Sequence, residues 1–195
     1  MSRERLTAFS DGVLAVIITI MVLELKAPHG EDAAALLELA PTFLAYVLSF
    51  LYVAIYWNNH HHLFHLVPRV TGGILWANLH LLFWLSLIPF ATAWTDEHRA
   101  AALPAALYGG VLLMCALAWF VLEGVIVRSQ RRREHESPLA RALGRDIKSK
   151  ASVVLYLAGC GAAFLSAAAA DAIYTLVALV WLIPDRRIER VLSRE

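Results

Sequence analysis

The chain has 195 residues, 59% of them hydrophobic, with 17 Lys and Arg against 16 Asp and Glu. A soluble domain is nearer half apolar. Here the excess lies in long runs with a mean hydropathy of +0.61, which excludes an ordinary soluble enzyme and points to one compact membrane unit. A net charge of +1 gives no electrostatic case for a nucleic-acid partner.

The start, Met1 to Arg5 followed by an apolar stretch, has the outline of a secretory signal. The stretch contains Asp11, runs on to Leu25 and ends in ELKAPHG without a small-residue cleavage site, so a first spanning helix is expected instead. A hydrocarbon core of about 30 Å needs about 20 helical residues. By that measure six segments are expected, at 6–25, 41–67, 70–94, 100–127, 151–170 and 172–184. The second, third and fifth contain no Lys, Arg, Asp or Glu, and the fourth contains only Glu123. The sixth is shorter than a standard span and leans on its neighbours or continues past Pro184. No strand pattern competes, so the expected fold class is an all-α polytopic membrane protein forming a single domain over 1–195. Cys115 and Cys160 both lie inside apolar runs and are expected as small buried side chains, not as a disulfide.

Charge orients the bundle. The connection between segments four and five carries eight Lys and Arg from Arg128 to Lys150. The tail DRRIERVLSRE and the start, with Arg3 and Arg5, are also basic, and Arg69 sits between segments two and three. The other connections hold acids and only Lys26 and Arg99. Basic loops stay in the cytoplasm. Six spans put all the basic connections on one side, with both termini cytoplasmic.

That topology places polar groups at a common depth. Asp11 lies five residues beyond Leu6, His60 seven before Val67 and Asn78 eight after Val70. At ~1.5 Å per residue each sits ~8–12 Å inside the cytoplasmic boundary. Ser10, Asp11, Trp57, His60 or His61, and Asn78 are therefore expected to form an interhelical network, since hydrogen bonding offsets the cost of burying each. On the first helix, Arg5, Phe9, Gly12, Val16, Thr19, Ile20 and Leu23 fall in one stripe at ~100° per residue, with Ser10 and Asp11 pointing to either side. An ordinary packing face and a constriction that gates by dewetting look alike at this level.

The stretch YWNNHHHLFH sets His61 and His65 four apart, but no Cys or carboxylate accompanies them on that helix, and no metal site is expected. A histidine proton relay and plain interfacial packing both remain open for His61, His62 and His65. No G-x-S-x-G, H-E-x-x-H, P-loop or TVGYG-like filter is present, and the small-residue patterns at Gly109-Gly110 and from Gly159 read as helix-packing sites.

RLTAFSDGVLAVIIT, from Arg5 to Thr19, resembles the R-x-x-x-F-S-D signature of the transmembrane protein 175 family of potassium channels. WNNHHHLF from Trp57 and LWANL around Asn78 continue the likeness, which covers the first three spans well and the last three only in number and hydrophobicity. The resemblance implies a homotetramer in the cell membrane, with the first helix of each subunit lining a central pore. It implies a hydrophobic constriction at Val16, where family pores more often carry isoleucine or leucine, and further apolar rings at Ile20 and Leu23. It implies a selectivity role for Thr19 and a bracing network of Arg5, Phe9, Ser10, Asp11, Trp57, His60 and Asn78. Arg5 at the mouth opposes cation entry unless Glu4 or Asp11 pairs it. Potassium is the expected permeant ion, lipid and other copies of the chain the expected partners, and no cofactor or catalysis is expected. The rivals are a proton channel or proton-coupled transporter using Asp11 and His60, and a membrane scaffold without flux.

Overall fold

The computed structural model describes residues 2–131 and 147–182, which form eight helices and no strand. α1 is Arg3–Leu23, started by the Ser2 side chain accepting from the Arg5 amide. α2 (Ala33–Glu38) is a short helix capped by Asp32. α3 is Ala40–His65, with Pro41 in its first turn, where its missing N–H is no loss. α4 (Gly72–Leu85) is capped by Thr71, and α5 is Ile88–Glu97. α6 (Ala102–Arg131) is the longest. α7 (Ile147–Ala162) and α8 (Ala167–Leu182) have 16 residues each.

Four stretches are long and apolar enough to cross a bilayer: α1, α3, α4 with α5 (Gly72–Glu97), and α6 to Gln130. α7 and α8 are about 24 Å long at 1.5 Å per residue, short of a ~30 Å core.

Two expected boundaries change. The third segment breaks at Ser86-Leu87, because Pro89 has no N–H to give the Leu85 carbonyl and its ring restricts the residue before it. The turn expected at Asp171 lies earlier, at 163–166, where the Ala163, Phe164 and Leu165 amides close back on Gly159, Gly161 and Ala162. Ser166 then caps α8 by accepting from the Ala169 amide, so Asp171 lies inside a helix. The basic run over 132–146 and the chain beyond Leu182 fall outside the described residues.

α6 is the packing centre and touches α4, α5, α7 and α8, while α1 lies against α3, α4 and α5. At one end, Arg3 donates to the His65 carbonyl and Gln130 to the Leu66 carbonyl, bringing together the start of α1, the α3–α4 turn and the end of α6. At the other end, Arg99 donates to Thr42, and Thr95 donates to the Pro104 carbonyl. The chain thus runs up and down, with the start of α1, the α3–α4 turn and the end of α6 at one end.

Candidate functional site

α1 has two faces. Leu6, Ser10, Leu14, Ile17 and Met21 recur at spacings of three and four, and all are buried. That is the packing stripe of a helix. The other stripe, Arg5, Phe9, Gly12, Val16, Thr19, Ile20 and Leu23, is exposed along its whole length. Val16 is 57% exposed and Leu23 75%. Among the described residues nothing covers that stripe.

The buried face is held by amide and hydroxyl chemistry. The Asn78 side-chain amide of α4 donates to Ser10 Oγ at 2.9 Å, and its carbonyl oxygen lies 2.8 Å from His60 Nε2 of α3. His60 therefore presents Nε2–H to Asn78, and the Ser10 hydroxyl donates to the Leu6 carbonyl at 2.9 Å. All three side chains are buried, and among the described residues no buried side-chain nitrogen or oxygen lacks a partner. A satisfied cluster of this kind rigidifies; a half-satisfied one would be costly. His60 also stacks on Phe64 at 4.4 Å between ring centroids.

Beside it, Trp57 Nε1 donates to Asp11 Oδ1 at 2.9 Å. Both residues are exposed, so this is a second contact between α1 and α3, parallel to the buried one. Trp57 also lies 6.1 Å from His61, whose Nε2 is 3.0 Å from that of His65. The structure thus joins Ser10, His60 and Asn78 in one chain of bonds and Asp11 with Trp57 in another. Arg5 and Phe9 stand outside both. The Arg5 side chain is exposed and makes no ion pair among the described residues, so neither Glu4 nor Asp11 pairs with it.

Thr19 Oγ1 donates to the Ala15 carbonyl at 2.8 Å. Its proton is directed into the helix, which leaves the oxygen lone pairs outward on the exposed stripe. A hydroxyl so arranged is an acceptor and suits a cation. Among the described residues no group of three His, Cys, Asp or Glu is arranged to hold a metal. Sequence alone did not single out Arg3 and Gln130, whose bonds to backbone carbonyls close the basic end of the bundle. Their only signal is a long polar side chain at a helix end.

The arrangement is that of a polytopic helical membrane protein with one apolar stripe of α1 left uncovered, and its relatives give its class. A crystal structure of a lysosomal potassium-selective channel TMEM175 homolog from Chamaesiphon minutus matches with a TM-score of 0.79 at 27% identity, covering 93% of this chain and 96% of that one. Residues 5–89 match the family model described as endosomal/lysosomal potassium channel TMEM175. A potassium channel from Chryseobacterium sp. (strain P1-3) is 53% identical over 99% of both chains. Another from Streptomyces collinus is 34% identical over 91% of this chain and 90% of its own. An endosomal/lysosomal proton channel TMEM175 of Gallus gallus is 34% identical over half of this chain, which is only 22% of that protein. The chain belongs to the TMEM175 family of ion channels.

Proposed function

We propose that the protein is a potassium channel of the cell membrane, in which four copies place α1 around a shared axis. The observation that carries this reading is the exposed stripe on α1, opposite a face locked by Ser10, Asn78 and His60. A helix anchored by its back can present its front at a fixed rotation. Four Val16 side chains, with Ile20 and Leu23 rings beyond, would form a dry constriction that water and ions cross only when it widens. Four Thr19 hydroxyls, each with its proton turned away, would offer oxygens in place of part of the hydration shell. The basic end of the bundle faces the cytoplasm, by the positive-inside rule, and both termini lie there.

Flux from purified protein in liposomes tests the reading. Potassium efflux should exceed sodium efflux. Val16→Asn should raise potassium flux about tenfold, a barrier change of about 1.4 kcal/mol, by wetting the constriction. Thr19→Ala should narrow the preference for potassium. Unchanged flux in both variants overturns the pore assignment.

A proton-conducting reading draws support from the animal relatives named proton channels. It would use Asp11 and His60, and both side chains are already engaged, by Trp57 and Asn78. Proton movement under a pH gradient that falls in Asp11→Asn while potassium flux persists would favour it.

A further inference from the structure

A groove of about 490 Å³ runs between α3, α5, α6 and α8, away from α1. One wall is the apolar edge of α3, with Leu44, Leu48 and Leu51. Leu44 is 66% exposed, so this wall faces outward. At the base of the groove three hydroxyls satisfy one another: Ser49 Oγ lies 2.7 Å from Thr92 Oγ1 and 3.0 Å from the Tyr108 hydroxyl, and Thr92 donates to the Ile88 carbonyl. The base therefore asks nothing of a ligand. Ser49 lies nine residues into α3, so the trough reaches roughly 13 Å below the rim.

The charges sit at the rim end. Arg99 is fixed there by three bonds, two to Asp96 Oδ1 at 2.9 and 2.6 Å and one to Thr42 at 2.7 Å, yet its side chain remains 47% exposed. Across the groove stands Asp171, one turn inside α8, which forms no ion pair among the described residues. A partly buried carboxylate without a cation is costly and is a candidate for a ligand's positive charge. Asp96 also lines the groove and pairs Arg99 through Nε and Nη2, which leaves the Nη1 hydrogens of Arg99 to donate. Those donors, an unpaired carboxylate and an apolar trough leading inward form the complement of a zwitterionic lipid.

We propose that this groove binds one phospholipid with a primary ammonium head. The phosphate lies at Arg99, the ammonium donates to the Asp171 carboxylate, and an acyl chain lies along Leu44, Leu48 and Leu51. A primary ammonium forms charge-assisted N–H···O bonds with a carboxylate, whereas a trimethylammonium has no N–H to give. The groove therefore distinguishes phosphatidylethanolamine from phosphatidylcholine, and from the headgroup of phosphatidylglycerol, which carries no positive charge.

The test is lipid retention by the full-length protein, purified after incubation with vesicles of each of the three lipids bearing the same acyl chains, and read by native mass spectrometry. Phosphatidylethanolamine should be retained at least threefold over the other two. Asp171→Asn should reduce it to their level, and Asp171→Glu should keep the preference. Leu44→Trp fills the trough from its exposed side without touching the core. It should lower retention of all three lipids at least threefold with the melting temperature unchanged, a result that stands even where Asp171→Asn fails to fold. Equal retention of the three lipids, a preference that survives Asp171→Asn in folded protein, or retention unchanged in Leu44→Trp overturns the proposal. Low retention of every lipid, as when a second copy of the chain covers the groove, does so too.

Discussion

Asn78 and Tyr174 each hold three or more helices together, and they do so by opposite means. Asn78 of α4 uses its two polar atoms, one for Ser10 of α1 and one for His60 of α3. Tyr174 of α8 works by bulk. Its ring fills the space a β-carbon would need at Gly109 of α6 and at Gly159 of α7. Its hydroxyl donates to the Ala105 carbonyl at 3.2 Å, and its own carbonyl accepts from the Tyr52 hydroxyl of α3 at 2.6 Å. Lipid tails are as apolar as leucine, so helices in a bilayer gain little from hydrophobic contact with one another. They need either polar partners or small residues that permit close approach. This chain assigns polar joints to α1, α3 and α4 and a steric joint to α6, α7 and α8. The polar joint fixes a rotation, since a hydrogen bond has direction. That is the property a helix needs if one of its faces is to be kept for an ion.

The steric joint gives the larger predicted effect when disturbed. Gly109→Ala sets a methyl group against the Tyr174 ring and should destabilise the protein by about 3 kcal/mol, as overpacking of a tight core does. Thermal unfolding in detergent measures it. Tyr174→Leu should cost clearly less in the Gly109→Ala background than alone, and additive costs would break the account of a shared space.

Asn78→Leu conserves approximate volume and strands Ser10 and His60 in the core. A loss of about 2 kcal/mol is expected, together with greater exposure of α1 amides to hydrogen exchange. No change in α1 protection would remove the claim that this joint fixes the rotation.

Trp57→Phe removes only the exposed bond to Asp11 and should cost about 0.6 kcal/mol, near the mean for a side-chain bond between membrane helices. An effect as large as that of Asn78→Leu would mean that the exposed contact, not the buried one, is the main anchor.

Much of the polar joint was legible in the sequence. Equal depth on three helices pointed to Ser10, Asn78 and either His60 or His61, of which the structure bonds His60 to Asn78, and a period of 3.6 separated the two faces of α1. The resemblance and the family model agree on the region, since the match over 5–89 spans α1 to the start of α5. The steric joint was legible only as small-residue patterns at Gly109 and Gly159. Nothing local says that one tyrosine, 65 positions beyond the first of them and 15 beyond the second, enters both. The turn at 163–166 was hidden by an alanine-rich run, which favours helix and carries no Pro or charge to mark a reversal; Gly161 just before it and the Ser166 cap were its signals. The break at Ser86-Leu87 had a signal in Pro89, outweighed by the uninterrupted hydropathy on both sides. Arg99 reaching Thr42 across 57 positions had none.

The central claim is that the exposed stripe of α1 meets its own copies and not lipid. Oxidative cross-linking tests it most directly, in a Cys115→Ala and Cys160→Ala background, with Val16→Cys on the stripe and Val154→Cys as an exposed control on α7. The account predicts disulfide-linked dimers in membranes for Val16→Cys and none for Val154→Cys. Linkage at position 154 without linkage at 16, or monomers at both, would contradict it.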